Sequence, residues 1–159
     1  MSMVYHVPSE SITIKILNVG FFEENCNDLF KEHYEEIALN KSVMTLLPNW
    51  DKYYALEQSG QLFCLGAFSG EQCIGYSINF FTNHLHYKEL FYMQNDLLFV
   101  AEEYRKTRVG LDLIRETEKQ AFAKGAEMML WHAKENTTLS GLMPRLGYKV
   151  QDIIYSKVL

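Results

Sequence analysis

The sequence is short of what a disulfide-stapled, membrane-spanning or nucleic-acid-binding chain would need. It has only three cysteines, Cys26, Cys64 and Cys73, an odd number without Cys-x-x-Cys spacing. That excludes a disulfide framework and a zinc ribbon, and reads as small buried hydrophobes. Its three prolines, Pro8, Pro48 and Pro144, sit at plausible element edges, and no Pro/Gly/Ser linker, internal repeat or low-complexity tract divides the chain; one domain over residues 1–159 is expected. No run approaches the ~20 apolar residues that cross a bilayer, and Met1 to Pro8 has neither a basic region nor an apolar signal core, which predicts a cytoplasmic protein with no membrane partner. Basic charge is in deficit, 15 Lys plus Arg against 20 Asp plus Glu for a net charge of −5. A groove for nucleic acid needs a basic stripe to displace counterions, so a small or peptide-like partner is expected instead.

Apolar material is not lacking. At 48% hydrophobic and 14% aromatic, the chain can build a substantial core. Ile12 to Leu17 reads as a strand, Asn18-Val19-Gly20 as a turn, and Glu23 to Leu39 as a helix with Cys26, Leu29, Phe30, His33 and Ile37 on one face. Pro48-Asn49 opens a second helix carrying Trp50, Tyr53 and Tyr54, and Ser59-Gly60 closes it. Gln61 to Phe68 and Cys73 to Phe81 flank the turn Ser69-Gly70-Glu71-Gln72 and predict an antiparallel hairpin. Leu90 to Val100 predicts a central strand, interrupted by Gln94, Asn95 and Asp96, polar residues that need a reason. A helix over Arg108 to Lys124, a strand over Met128 to Ala133, a short helix over Asn136 to Met143 and a last strand over Lys149 to Val158 complete the chain. The order β-α-α-β-β-β-α-β-α-β predicts an α/β fold with a mixed sheet, the hairpins antiparallel and the strand-helix-strand unit a right-handed parallel crossover.

The segment Arg105-Lys106-Thr107-Arg108-Val109-Gly110-Leu111 joins that central strand to a helix. A helix start leaves backbone N–H groups unpaired and carries positive potential, so a pyrophosphate is a natural ligand there. Taken alone, the same stretch is also what a solvated basic turn looks like.

Here the chain resembles the GCN5-related N-acetyltransferase (GNAT) family, whose signature Arg/Gln-x-x-Gly-x-Gly/Ala stands as Arg105 to Gly110, with Arg108 in place of the first glycine. A second family signature, an Asn followed by a helix and a Phe/Leu-Tyr-x-Lys/Arg-x-Gly-Phe/Tyr segment, stands as Asn136 and Leu142-Met143-Pro144-Arg145-Leu146-Gly147-Tyr148. The resemblance implies a mixed, mostly antiparallel sheet with splayed parallel central strands and flanking helices. It implies acetyl-coenzyme A as co-substrate, with no metal, and transfer of its acetyl group to a primary amine of a small molecule or peptide by direct attack. Leu98, Phe99 and Val100 would hold the pantetheine, Arg105 to Leu111 the pyrophosphate, and Asn136 the arm from the other side. Two alternatives stay open, a degenerate module that binds coenzyme A or a protein, and a toxin that acetylates aminoacyl-tRNA. A homodimer is also compatible with the resemblance.

Acetyl transfer needs a neutral amine, an oxyanion stabiliser and a proton for the departing thiolate. Asp96 is the candidate base, a buried structural Asp being the other reading. The family's usual tyrosine donor is replaced by Met143, which cannot donate a proton, so Tyr148 or Ser140 is the candidate donor, or water. His84, His86 and Tyr87 in the loop before the central strand, with Tyr53 on the second helix, are candidates for the acceptor pocket; a polar hairpin tip and a core aromatic are their bland counterparts. The His84-Leu85-His86 spacing is half a metal site without a second pair of ligands, so zinc is not expected.

Overall fold

The computed structural model describes residues 11–159; the N-terminal stretch Met1 to Pro8 lies outside them. A five-stranded sheet in the order β1-β2-β3-β4-β5 organises the chain. β1 is Ile12–Leu17, β2 Leu62–Ser69, β3 Gln72–Asn83, β4 Phe91–Val100 and β5 Met128–Trp131. The first four pair antiparallel and β4 pairs β5 in parallel. The β2–β3 turn holds Gly70 at φ 59°, a left-handed conformation that favours glycine.

One face of the sheet carries α1 (Val19–Asn25), α2 (Asn27–Ile37) and α3 (Trp50–Gln58). The other carries α4 (Val109–Ala123), whose Val109, Leu113, Ile114, Thr117 and Ala121 are buried. The first face is packed by aromatic rings: Phe22 meets Phe30 at 4.9 Å and Tyr76 at 5.2 Å, both edge-on. Each such ring taken from water contributes roughly 1.5–3 kcal/mol, with an edge-to-face increment on top.

Four sequence expectations are corrected here. Asn18 does not turn the chain away from β1 but caps α1, its side chain accepting from Phe21 N at 2.7 Å, so the helix begins at Val19. The single helix expected over Glu23 to Leu39 is two, kinked at Cys26 (φ −113°, ψ 9°), whose N–H still donates to the Phe22 carbonyl and whose carbonyl still accepts from Phe30 N. The backbone bonds survive the bend, and Cys26 is fully buried there. The last strand, expected over Lys149 to Val158, is not formed. Residues 149–159 pair with no strand and leave Val150, Ile153, Ile154 and Tyr155 exposed; alternation supplies a strand pattern but a strand needs a ladder partner. The short helix over Asn136 to Met143 is trimmed to α5 (Thr138–Leu142), capped by Thr137, with a 3₁₀ turn over Met143–Leu146 ending on Gly147 at φ 90°.

The polar interruption of β4 has a structural cause. β3 and β4 keep register from Gly75↔Val100 to Ile78↔Leu97 and resume at Asn79↔Asn95, so Asp96 is the extra residue of a β-bulge. Beside it, Asn95 Nδ2 donates to Asn79 Oδ1 at 2.9 Å, and Thr117 Oγ1 on α4 donates to Ser77 Oγ at 3.0 Å. This network is buried. It ties the bulge to α4, and a bulge of this kind re-aims the side chain it carries.

Candidate active site in the β4–β5 cleft

β4 and β5 pair only from Tyr92↔Met128 to Asn95↔Trp131. Past that point they part, and the Leu97 to Val100 half of β4 keeps β3 on one side and, among the described residues, has no strand on the other. A backbone edge lying open inside a fold is a binding surface for an extended, amide-bearing chain. The candidate residues Leu98, Phe99 and Val100 form this edge. Phe99 is held flat against His33 of α2, ring centroids 4.5 Å apart.

The loop after β4 leads to the start of α4. Arg105 is fully engaged: its Nε donates to the Val100 carbonyl at 2.8 Å, and its two terminal nitrogens donate to the Glu36 carboxylate of α2 at 2.8 and 2.6 Å. Its fork therefore fixes the loop between β4 and α2. Lys106 and Arg108 remain exposed. Arg108 stands at φ −83°, ψ −2°, a right-handed conformation open to any residue, so the loop keeps its shape without glycine there. No side chain of Arg108 caps α4, and of the first amides only Val109 N has a partner, Thr107 Oγ1 at 3.3 Å. The amides of Gly110 and Leu111 are free among the described residues. A Cβ built on Gly110 would meet nothing nearer than Val100 Cγ2 at 3.8 Å. The fold itself leaves room for a side chain at this glycine, which suits a phosphate approaching the helix start.

Asp96, bulged at the mouth of the cleft, is half-buried. Burial pushes its carboxyl pKa up, opposed by His132 just past the end of β5. Tyr53 of α3 belongs to the same neighbourhood: burial, then the nearby Asp96 charge, push its phenol up. Next to Tyr53 opens a groove of about 330 Å³ lined by uncharged residues, among them Phe30, Tyr34, Met44, Leu46 and Pro48.

The other candidates lie elsewhere. The Tyr148 hydroxyl donates to Glu118 of α4 at 2.5 Å, and burial followed by this bond pushes its pKa up. Its ring meets Trp131 edge-on at 6.3 Å. Ser140 is occupied in the cap of α5, donating to the Thr137 carbonyl at 2.8 Å, and Met143 is buried. Asn136, at φ 59°, turns the loop after β5 and is exposed. His84, His86 and Tyr87 cluster on one another at the β3–β4 tip, His84 and Tyr87 with centroids 4.6 Å apart. Five residues of β4 separate that tip from Asp96, about 16 Å at strand rise. Among the described residues no group of three or more His, Cys, Asp or Glu could hold a metal, and no helix is long and apolar enough to cross a membrane. Sequence reasoning missed His132, Glu36 and the apolar groove. His132 fell inside the strand expected over Met128 to Ala133, which ends instead at Trp131 and leaves it exposed.

The family model of the acetyltransferase (GNAT) family matches residues 23–148. The chain belongs to the GNAT family. No curated protein matches this GNAT sequence at a significant level. Its fold is shared by solved structures of low identity. An aminoglycoside acetyltransferase, meta-AAC0020, from an uncultured soil metagenomic sample, solved with sisomicin, superposes with a TM-score of 0.72 at 15% identity over 93% of this chain and 96% of its own. A ribosomal-protein-alanine N-acetyltransferase from Brucella melitensis biovar Abortus 2308 gives 0.70 at 16%, covering 94% and 99%. The aminoglycoside N-acetyltransferase AAC(6')-Iy, in complex with CoA, gives 0.66 at 17%, covering 92% and 100%.

Proposed function

We propose that this GNAT chain acts as a single domain that transfers the acetyl group of acetyl-coenzyme A to the primary amine of a small molecule or peptide, by direct attack within a ternary complex. The observation that carries this reading is the parting of β4 from β5 after Asn95↔Trp131, with the open Leu97 to Val100 edge running straight into the uncapped start of α4. The edge would take the amides of the pantetheine arm. The free amides of Gly110 and Leu111, with Lys106 and Arg108 beside them, would take the pyrophosphate, while Arg105 shapes the loop from behind. The co-substrate supplies an activated thioester; the protein need form no covalent bond.

Asp96 takes a proton from the acceptor ammonium and leaves a neutral amine to attack. A carboxyl pushed up by burial is a better match to that task at neutral pH than an exposed one. The acceptor enters along the groove beside Tyr53, whose uncharged lining supports an amine carried on an apolar or aromatic group. The proton for the departing thiolate comes from the attacking nitrogen through water, because Tyr148 and Ser140 have their hydroxyl protons committed to Glu118 and Thr137. The test is release of free coenzyme A from acetyl-coenzyme A in the presence of tyramine, spermidine and sisomicin. Amine-dependent thiol release supports the reading; binding of acetyl-coenzyme A without release with any amine returns the degenerate-module alternative.

A further inference from the structure

Asp96 and His132 occupy matching places on the two lips of the cleft. Asn95↔Trp131 is the last pair of the parallel ladder, and each residue is the next along its strand. The bulge turns Asp96 out of register with β3, and His132 lies exposed where β5 has ended. Neither group has a hydrogen-bond or ion-pair partner among the described residues, and the Asn95↔Trp131 pairing places both one residue past the end of the same ladder. The charged and titratable groups around them are few. Tyr53 faces Asp96 from α3, and Lys134 follows on the loop of His132, where it acts on His33 of α2 together with Glu36 and Arg105. An uncommitted, half-buried carboxylate and an uncommitted, exposed imidazole thus stand on adjacent strands where the ladder ends.

We propose that His132 is the second half of the base, carrying to solvent the proton that Asp96 takes from the acceptor. This rests on the proposed acetyl transfer and assigns a residue to it. The Asp96 carboxylate accepts one proton from the acceptor ammonium. The neutral amine attacks the thioester carbonyl; the carbon–nitrogen bond forms, the carbon–sulfur bond breaks, and the second nitrogen proton leaves with the thiolate as coenzyme A thiol. Protonated Asp96 passes its proton to the neutral imidazole, and the imidazolium releases it to water, so one proton is liberated per acetyl group transferred. An exposed imidazole beside the mouth of the cleft can accept a proton on one ring nitrogen and release it from the other.

Two measurements test the pair. The first needs no acceptor: the carboxyl carbon of Asp96 is followed by NMR through a pH titration of the wild-type protein and of His132→Gln. His132 opposes the effect of burial on the carboxyl, so its removal should move the Asp96 titration to higher pH. The second is the pH profile of kcat with whichever of tyramine, spermidine and sisomicin is acetylated. His132→Gln should lower kcat at least about tenfold with KM for acetyl-coenzyme A unchanged, and added imidazole should restore turnover of His132→Gly, as only a proton-carrying role allows. An Asp96 titration that does not move, or turnover that imidazole does not raise, overturns the pairing and leaves acetyl transfer standing. Wild-type protein that acetylates none of the amines overturns both.

Discussion

His33 Nδ1 and the Tyr76 hydroxyl share a hydrogen bond of 2.6 Å inside the aromatic core between α2 and the sheet. The imidazole is buried, stacked on Phe99 and tilted against Tyr76, and burial pushes its pKa down to about 4, with Glu36 opposing and Lys134 and Arg105 adding to the drop. The folded protein therefore keeps this ring neutral. Between about pH 6.5 and 4 the unfolded ring binds a proton that the folded ring refuses, so folding stability present above pH 6.5 is lost as pH falls through that window. The size is roughly 3 kcal/mol at most. Urea unfolding at pH 7 and pH 4.5 should show a drop that His33→Gln largely removes; a variant as acid-sensitive as wild type contradicts this.

Asp96 trades stability for chemistry. Its raised pKa means that the native state holds the carboxyl proton more tightly than the unfolded chain, so ionisation at neutral pH costs folding energy. Asp96→Asn should raise Tm at pH 7 while lowering turnover about a hundredfold or more, with acetyl-coenzyme A affinity unchanged. Thermal melts and initial rates on the same preparation check it. A variant both less stable and equally active would make Asp96 a structural residue.

Gly110 has no steric duty in the fold, since a Cβ there touches only Val100 Cγ2. Gly110→Glu should therefore leave stability the same or raise it by up to about 1 kcal/mol, a better helix former with negative charge at a helix start. The same carboxylate would meet the pyrophosphate. Loss of acetyl-coenzyme A binding at unchanged or higher Tm is expected; retained binding would move the phosphates elsewhere.

The sequence already carried the chemistry of the central strand, but not its geometry. Gln94, Asn95 and Asp96 broke an apolar run, and the structure resolves them into a buried amide that locks the bulge and a half-buried carboxylate that the bulge carries. The strand-to-helix junction was equally legible, because a helix start after a strand has the same free amides in any fold. What sequence could not give were contacts between distant elements. Arg105 reads as a phosphate ligand until Glu36, 69 residues away, takes its fork; Tyr148 reads as an acid until its hydroxyl is seen donating to Glu118. His132 is silent in sequence because its meaning depends on where β4 and β5 part.

The groove beside Tyr53 gives a separate check on the acceptor side. Met44 lines it and is half-exposed, so it can be changed without disturbing the core. Met44→Glu should raise KM for tyramine several-fold, a loss of about 1 kcal/mol, leaving acetyl-coenzyme A binding as it was. A KM that does not change would take the acceptor out of this groove.

The central claim is that the β4–β5 cleft binds acetyl-coenzyme A, and calorimetric titration tests it most directly. Wild-type protein titrated with acetyl-coenzyme A should give saturable binding with one site per chain, lost in Gly110→Glu. No heat of binding from a folded protein would contradict the account and leave a GNAT scaffold whose cleft serves another ligand.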